Sequence, residues 1–166
     1  VLYTSDLTRA VETAQIIGQP INLTPKLEVR LRERHIGIWQ GLTLDEIVAW
    51  YPDTYHQLQQ DPEGYQIPGG ESRRQVVKRV RAALDDIMSR GGGATIGIVS
   101  HTTAMRAIMN ALVPDFDSNM QEFANISVTT VRYDTETNKW SITQVNDVSH
   151  LEGMEALAIG EVEDES

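Results

Sequence analysis

Two short apolar runs break directly into helical patterns, and this constrains the fold more than anything else in the chain. Val1-Leu2-Tyr3-Thr4 stops at Ser5-Asp6, after which Leu7, Ala10, Val11, Ala14 and Ile17 recur at helical spacing until Gly18 and Pro20. Thr95–Ser100 ("TIGIVS") stops at His101, and Met105, Ile108, Met109 and Leu112 then mark a second helix. A buried strand that hands straight over to a helix is the unit from which parallel sheets are built.

The stretches between and after these units fit that reading. Leu27–Leu31 alternates apolar and charged residues as a weaker strand does. Thr43-Leu44-Asp45-Glu46 has capping-box spacing, so a helix is expected from about Leu44 to just before Pro52, with a second short one near Thr54–Gln60. "DPEGYQIPGG" (Asp61–Gly70) has the composition of a loop. Val76, Val77, Val80, Ala83, Leu84, Ile87 and Met88 predict a long amphipathic helix from Ser72 to about Arg90, ended by Gly91-Gly92-Gly93. "ISVTTVRYD" and "KWSITQVN" predict two strands joined by the polar turn Thr135–Asn138. The expected fold is α/β: a three-layer sandwich with a mostly parallel central sheet, helices on both faces and C-terminal antiparallel edge strands. Residues 1–150 are expected to form a single domain and 151–166 an acidic, mobile tail.

Charge and composition narrow the function. The net charge is −10, and the last sixteen residues hold six Asp or Glu with no Lys or Arg, so over half of the excess lies in the tail. Net negative charge argues against nucleic acid, which requires a basic surface. No run approaches the ~18 apolar residues of a membrane span. The absence of cysteine excludes disulfides and thiolate metal sites. No export signal is seen in the sequence, and the default compartment is the cytoplasm.

Three places combine chemistry-bearing residues with the loops where α/β sheets bind ligands, at the carboxyl ends of strands. Arg9 falls in the first turn of its helix, where the helix dipole disfavours a cation by about 0.3–1 kcal/mol. An arriving anion that meets both the helix end and the guanidinium reverses that penalty. His101 stands between a buried strand and a helix start, suited to stabilising negative charge or handling protons. "LRERHIGIWQG" (Leu31–Gly41) gathers Arg32, Glu33, Arg34 and His35 ahead of Gly37 and Gly41. Taken singly, each is equally compatible with an ordinary surface charge or a satisfied structural histidine. Trp50, Tyr51, Tyr55 and Tyr65 are compatible with an apolar mouth and, better, with core packing. His35, His56, His101 and His150 have no metal-ligand spacing.

Together the segments resemble the histidine phosphatase superfamily, in its phosphoglycerate-mutase-like branch. "YTSDLTRAVETA" is similar to the family's Ser-x3-Arg-Ala-x2-Thr-Ala segment, and "LRERHIGIWQG" to its Leu-x-Glu segment. "PGGES" resembles its loop before the long helix, "IVSHTTAMR" its second-histidine strand and turn, and "VNDVSHLEG" its last strand and exit. The resemblance implies that Arg9 binds the transferred phosphoryl group, that His101 bonds its equatorial oxygens, and that Glu33 gives a proton to the leaving alcohol. A carboxyl among cations needs a counter-effect for that role, such as a phosphate dianion nearby. Arg34, His35 and Thr102 are implied at the substrate mouth. Thr102 stands where the family most often has glycine.

The resemblance further implies hydrolysis of a small phosphorylated metabolite through a phosphohistidine, with no metal or cofactor and no nucleic-acid or membrane partner. The alternatives are a phosphoglycerate mutase and a catalytically incomplete phosphate-binding module. A homodimer through a sheet edge is possible. The family opens with a strand ending in Arg-His-Gly, whose histidine is the nucleophile, and this sequence has no Arg-His-Gly. That first family strand is therefore expected upstream of Val1, and its place is expected to be between the Val1 and Thr95 strands.

Overall fold

The structure is a computed structural model, which describes residues 1–90, 95–117 and 121–152. The chain divides into two compact units, Val1–Asn119 and Met120–Ser166.

The first unit is built on a three-stranded parallel sheet of order β2-β1-β3. Its strands are β1 (Leu2–Thr4), β2 (Lys26–Leu27) and β3 (Gly97–Val99). The helices are α1 (Thr8–Gly18), α2 (Leu44–Trp50), α3 (Pro52–Gln60), α4 (Arg73–Ser89) and α5 (Thr102–Leu112). Thr43 and Ser72 each close a capping box, with Glu46 and Gln75 respectively, which fixes where α2 and α4 begin. The glycines expected to end α4 lie outside the described residues.

Side-chain alternation along β1 distributes the core to two faces. Tyr3 packs with Val76, Val80, Ala83, Leu84 and Ile87 of α4 and with Ala104, Ala107 and Ile108 of α5. Leu2 points the other way, and its side chain lies beside Gly18 of α1. The sheet is thus covered by α1 on one face and by α4 and α5 on the other, the arrangement that right-handed crossovers dictate when the chain reverses direction across a sheet.

Of the expected inner face of helix α1, Ala10 and Ala14 are buried and Leu7 and Val11 half-buried, but Ile17 is not. Ala10, Ala14 and Gly18 are its buried face, whereas Ile16 is 71% exposed and Ile17 is also exposed. Gly18 leaves no room for more: a Cβ there would stand 2.2 Å from the Leu23 carbonyl oxygen.

Two expectations need correction. Of the segment Leu27–Leu31 only Leu27 lies in a strand, because the Glu28 carboxylate accepts the Arg30 N–H and Val29–Leu31 forms a 3-10 turn. More importantly, β1 and β3 are direct neighbours, paired Leu2↔Gly97, Tyr3↔Ile98 and Thr4↔Val99. No strand can lie between them. The outward edge of β3 carries no strand among the described residues.

A smaller core sits beside the loop that precedes α4. Trp39, Ile47 and Ile67 are buried there, and Tyr51, Tyr55 and Tyr65 pack against them. Three of the four aromatics in question therefore pack in a core, and Trp50 stays exposed. Gly37 takes φ = +55°, and a Cβ on it would stand 2.0 Å from the Pro68 carbonyl oxygen. Only glycine allows the 36–39 turn to lie this close to the 68–70 loop.

The second unit contains an antiparallel hairpin, β4 (Val128–Asp134) with β5 (Lys139–Asp147), in the pairing expected of its turn, Asp134↔Lys139. No helix among the described residues is long and apolar enough to cross a membrane. Of the acidic tail, 153–166 lies outside the described residues.

Candidate phosphoryl site

The carboxyl ends of β1 and β3 lie side by side, with the Ser5 N–H donating to the Val99 carbonyl at 3.3 Å. Each strand end passes at once into a helix start. Residues far apart in sequence are thereby placed at one spot: Ser5 and Arg9 from the first junction, His101 from the second.

The His101 ring is held at both nitrogens. Nε2 lies 2.7 Å from Ser5 Oγ, and Nδ1 lies 3.2 Å from Arg9 Nη2. A guanidinium only donates, so Nδ1 is the acceptor and the ring proton sits on Nε2, donated to Ser5. The neutral ring is the favoured form. Burial pushes the His101 pKa below the ordinary imidazole value and Arg9 pushes it further, against an opposing pull from Glu33. Ser5 is fully buried, and its Oγ also accepts the Leu7 N–H at 3.4 Å.

Arg9 itself is exposed at the first turn of α1. That turn contains no acidic residue and its N-cap, Leu7, offers no side-chain cap. The start of α5 is likewise without acidic residues, and its N-cap, His101, does not cap it by side chain. Two positive helix ends therefore converge with a guanidinium and an imidazole, a combination suited to a compact anion.

Glu33 reaches the same place from a third direction. Its Oε2 accepts the Thr103 N–H at 3.0 Å, supplying the cap that His101 does not, and its Oε1 accepts the Arg34 N–H at 2.6 Å. The segment carrying it is tied to both strand ends. Arg32 forks both oxygens of Asp6, through Nε at 2.6 Å and through Nη2, and holds that carboxyl below the usual carboxylate range. Ser100 donates to the Leu31 carbonyl at 2.8 Å.

Arg34 and His35 belong to an adjoining turn. Arg34 Nε donates to the Glu71 carbonyl at 2.8 Å, and its half-buried guanidinium has a pKa lowered by burial and by Arg73. The exposed His35 uses Nδ1 to accept the Gly37 N–H, while its own N–H donates to Glu71 Oε2. Thr102 opens α5 and is exposed. The structure therefore brings Arg9, Glu33 and His101 together, with Thr102 at the rim and Arg34 and His35 one turn away.

Three residues at the site were not singled out by sequence: Ser5, Glu71 and Arg79. Arg79 had a readable signal, since it lies three residues after Val76 and four before Ala83, on the apolar stripe of α4. Among the described residues no three His, Asp or Glu side chains group as a metal site requires.

Comparison with known proteins identifies the family. Residues 1–148 match the histidine phosphatase superfamily (branch 1). The chain is 36% identical over 153 residues to phosphoglycerate mutase-like protein 4 of Arabidopsis thaliana, covering 91% of this chain and 66% of that protein. It is 34% identical over 113 residues to phosphoserine phosphatase 1 of Hydrogenobacter thermophilus, covering 68% of this chain and 54% of the relative. The chain thus spans less than two thirds of the length of both curated relatives. Among solved structures, a mycobacterial glucosyl-3-phosphoglycerate phosphatase in complex with inorganic phosphate superposes with a TM-score of 0.74 at 29% identity, over 89% of this chain and 76% of that one. With the α/β fold described above and a match from the first residue to Val148, the chain belongs to the histidine phosphatase superfamily, branch 1.

Proposed function

We propose that the protein carrying this chain hydrolyses a phosphomonoester of a small metabolite through a phosphohistidine intermediate. The observation that carries this reading is the meeting of Arg9 with His101 Nδ1 at 3.2 Å, where two helix starts converge. A phosphoryl group placed there accepts from Arg9, and its negative charge favours protonation of Nδ1, so His101 becomes a second donor. Both donors act on oxygens whose charge grows as the phosphoryl group transfers, and both are fixed before the reaction.

The nucleophile is a histidine expected upstream of Val1. Its nitrogen forms a bond to phosphorus as the bond to the leaving oxygen breaks. The electron pair goes to the leaving oxygen, which takes the proton of Glu33. In the second half, water attacks the phosphohistidine, its proton returns to Glu33, and the histidine leaves. Two displacements with matched geometry replace one harder displacement by water. The edge of β3 next to the His101 junction, which pairs with no strand among the described residues, is where a preceding strand would bring such a nucleophile closest.

The test is incubation of the whole protein, with any segment that precedes Val1, with a 32P-labelled phosphomonoester. Release of free phosphate through an acid-labile, alkali-stable phosphoprotein is the expected result. A protein that binds phosphate but is never labelled is a binding module instead. A second reading, phosphoglycerate mutase, is favoured by "ERHIG" at 33–37 and by the likeness to a phosphoglycerate mutase-like protein. It requires exchange between 3- and 2-phosphoglycerate, and phosphate release without exchange rejects it.

A further inference from the structure

Arg79 is the charge whose position is hardest to explain by folding alone. It lies on α4 beside Val76, Val80 and Ala83, all with no exposed surface, and its own side chain is only 19% exposed. All five of its N–H groups are used. Nε and one Nη2 hydrogen clasp the two oxygens of Glu71 at 2.8 and 2.9 Å. Nη1 donates to the carbonyls of Arg30 and Arg32 at 2.7 and 2.8 Å, and the remaining Nη2 hydrogen donates to the carbonyl of Glu33 at 3.1 Å. No other side chain can supply five donors from one plane.

What this arrangement holds is the segment that bears Glu33. Residues 30–33 leave β2 through a 3-10 turn, so their carbonyls lack ladder partners; Arg79 takes that place for residues 30, 32 and 33, and Ser100 for Leu31. Glu71 secures the far side: its Oε2 accepts the His35 N–H at 3.1 Å, and its own N–H donates to the His35 carbonyl at 2.8 Å. The backbone is therefore gripped before and after residue 33, and the Glu33 side chain reaches the start of α5, where it meets Thr103.

We propose that Arg79, acting with Glu71, is a positioning residue that aims the Glu33 carboxyl at the leaving oxygen of the substrate. This rests on the reading of Glu33 as the proton donor. A guanidinium that clasps a carboxylate and three successive-turn carbonyls fixes that aim as a point charge cannot, so lysine does not substitute for it.

Two readouts test this in the whole protein. The first compares 4-nitrophenyl phosphate, whose leaving phenolate needs little protonation, with glycerol phosphate, whose leaving alkoxide needs a full proton. Arg79→Lys and Glu71→Gln are expected to lower kcat/KM, which reports phosphoryl transfer to the histidine and not the later attack of water, by about 10²-fold on glycerol phosphate, the scale of general-acid catalysis, and by no more than about threefold on 4-nitrophenyl phosphate. Glu33→Gln should show the same selectivity. An equal fall on both substrates in Arg79→Lys reduces its role to folding and overturns the proposal. The second readout needs no activity: amide hydrogen exchange at Thr103 and His35 should quicken at least tenfold in Arg79→Lys while Ile108, inside α5, stays protected. Unchanged protection at Thr103 overturns the proposal whatever the activity. If the wild type hydrolyses neither ester, the proposed function fails and the exchange result still decides whether Arg79 positions Glu33.

Discussion

Arg9 Nη2 and His101 Nδ1 lie 3.2 Å apart, although 92 residues separate them in the chain. The guanidinium donates to a neutral ring whose other nitrogen is bonded to Ser5. Arg9 disfavours only the protonated ring, and the neutral, Ser5-bonded form avoids that repulsion. The pair becomes favourable when a dianion accepts from both members.

Arg9→Met should therefore weaken binding of inorganic phosphate by roughly 10- to 100-fold, the value of one charge-assisted hydrogen bond of about 1.5–3 kcal/mol. Thermal stability without phosphate should be nearly unchanged, because Arg9 is exposed. Isothermal titration calorimetry with both proteins measures this. Equal affinities would remove Arg9 from the site.

The lowered pKa of His101 sets a pH dependence of stability. Burial, then Arg9, keeps the folded ring from taking a proton that the unfolded chain accepts below about pH 6.5. The contribution is therefore complete above that value and is lost as pH falls toward the folded pKa. The carboxyls of Asp6, Glu28 and Glu71, each lowered, act in the same sense at lower pH: their contribution is complete above about 4.5 and fades on acidification. Denaturant midpoints for His101→Gln and wild type should converge between pH 7 and 5.5, and parallel curves would contradict the assignment.

How much of this could be read from the sequence depended on the kind of interaction. Strand-to-helix junctions, the capping boxes at Thr43 and Ser72 and the hairpin about Thr135–Asn138 are local, and periodicity reveals them. The direct pairing of β1 with β3 is not local: nothing in "VLYT" or "TIGIVS" records which strand lies beside which. Ile17 was placed inside by its spacing, but Ala10, Ala14 and Gly18 let α1 approach so closely that the larger side chains are left outside. At the site, Arg9 and His101 stand out by their places at strand-to-helix junctions, whereas Glu33 is marked by the family resemblance of its segment. Ser5 and Glu71 could not, since their roles are hydrogen bonds across the fold.

Gly37→Ala should destabilise the protein by at least about 1–3 kcal/mol, since alanine would have to adopt φ = +55°. The added Cβ also meets the Pro68 carbonyl, so the 68–70 loop must move and carry Glu71 with it. A lower melting temperature together with faster amide exchange at His35 is expected. An unchanged melting temperature would show that the turn can relax.

Leu31 has no exposed surface and packs in the main core, while its carbonyl accepts the Ser100 hydroxyl. Leu31→Ala should cost about 2–5 kcal/mol in a denaturant titration. A loss under 1 kcal/mol would mean that the core collapses around the gap.

If Arg9 and His101 form one phosphoryl-binding site, the ring nitrogens of His101 report on it most directly. In the whole protein labelled with 15N-histidine, the free state should show a neutral ring with its proton on Nε2. Saturating inorganic phosphate should protonate Nδ1 and raise the His101 pKa, and Arg9→Met should abolish that response at the same phosphate concentration. A His101 ring that titrates identically with and without phosphate would contradict the account.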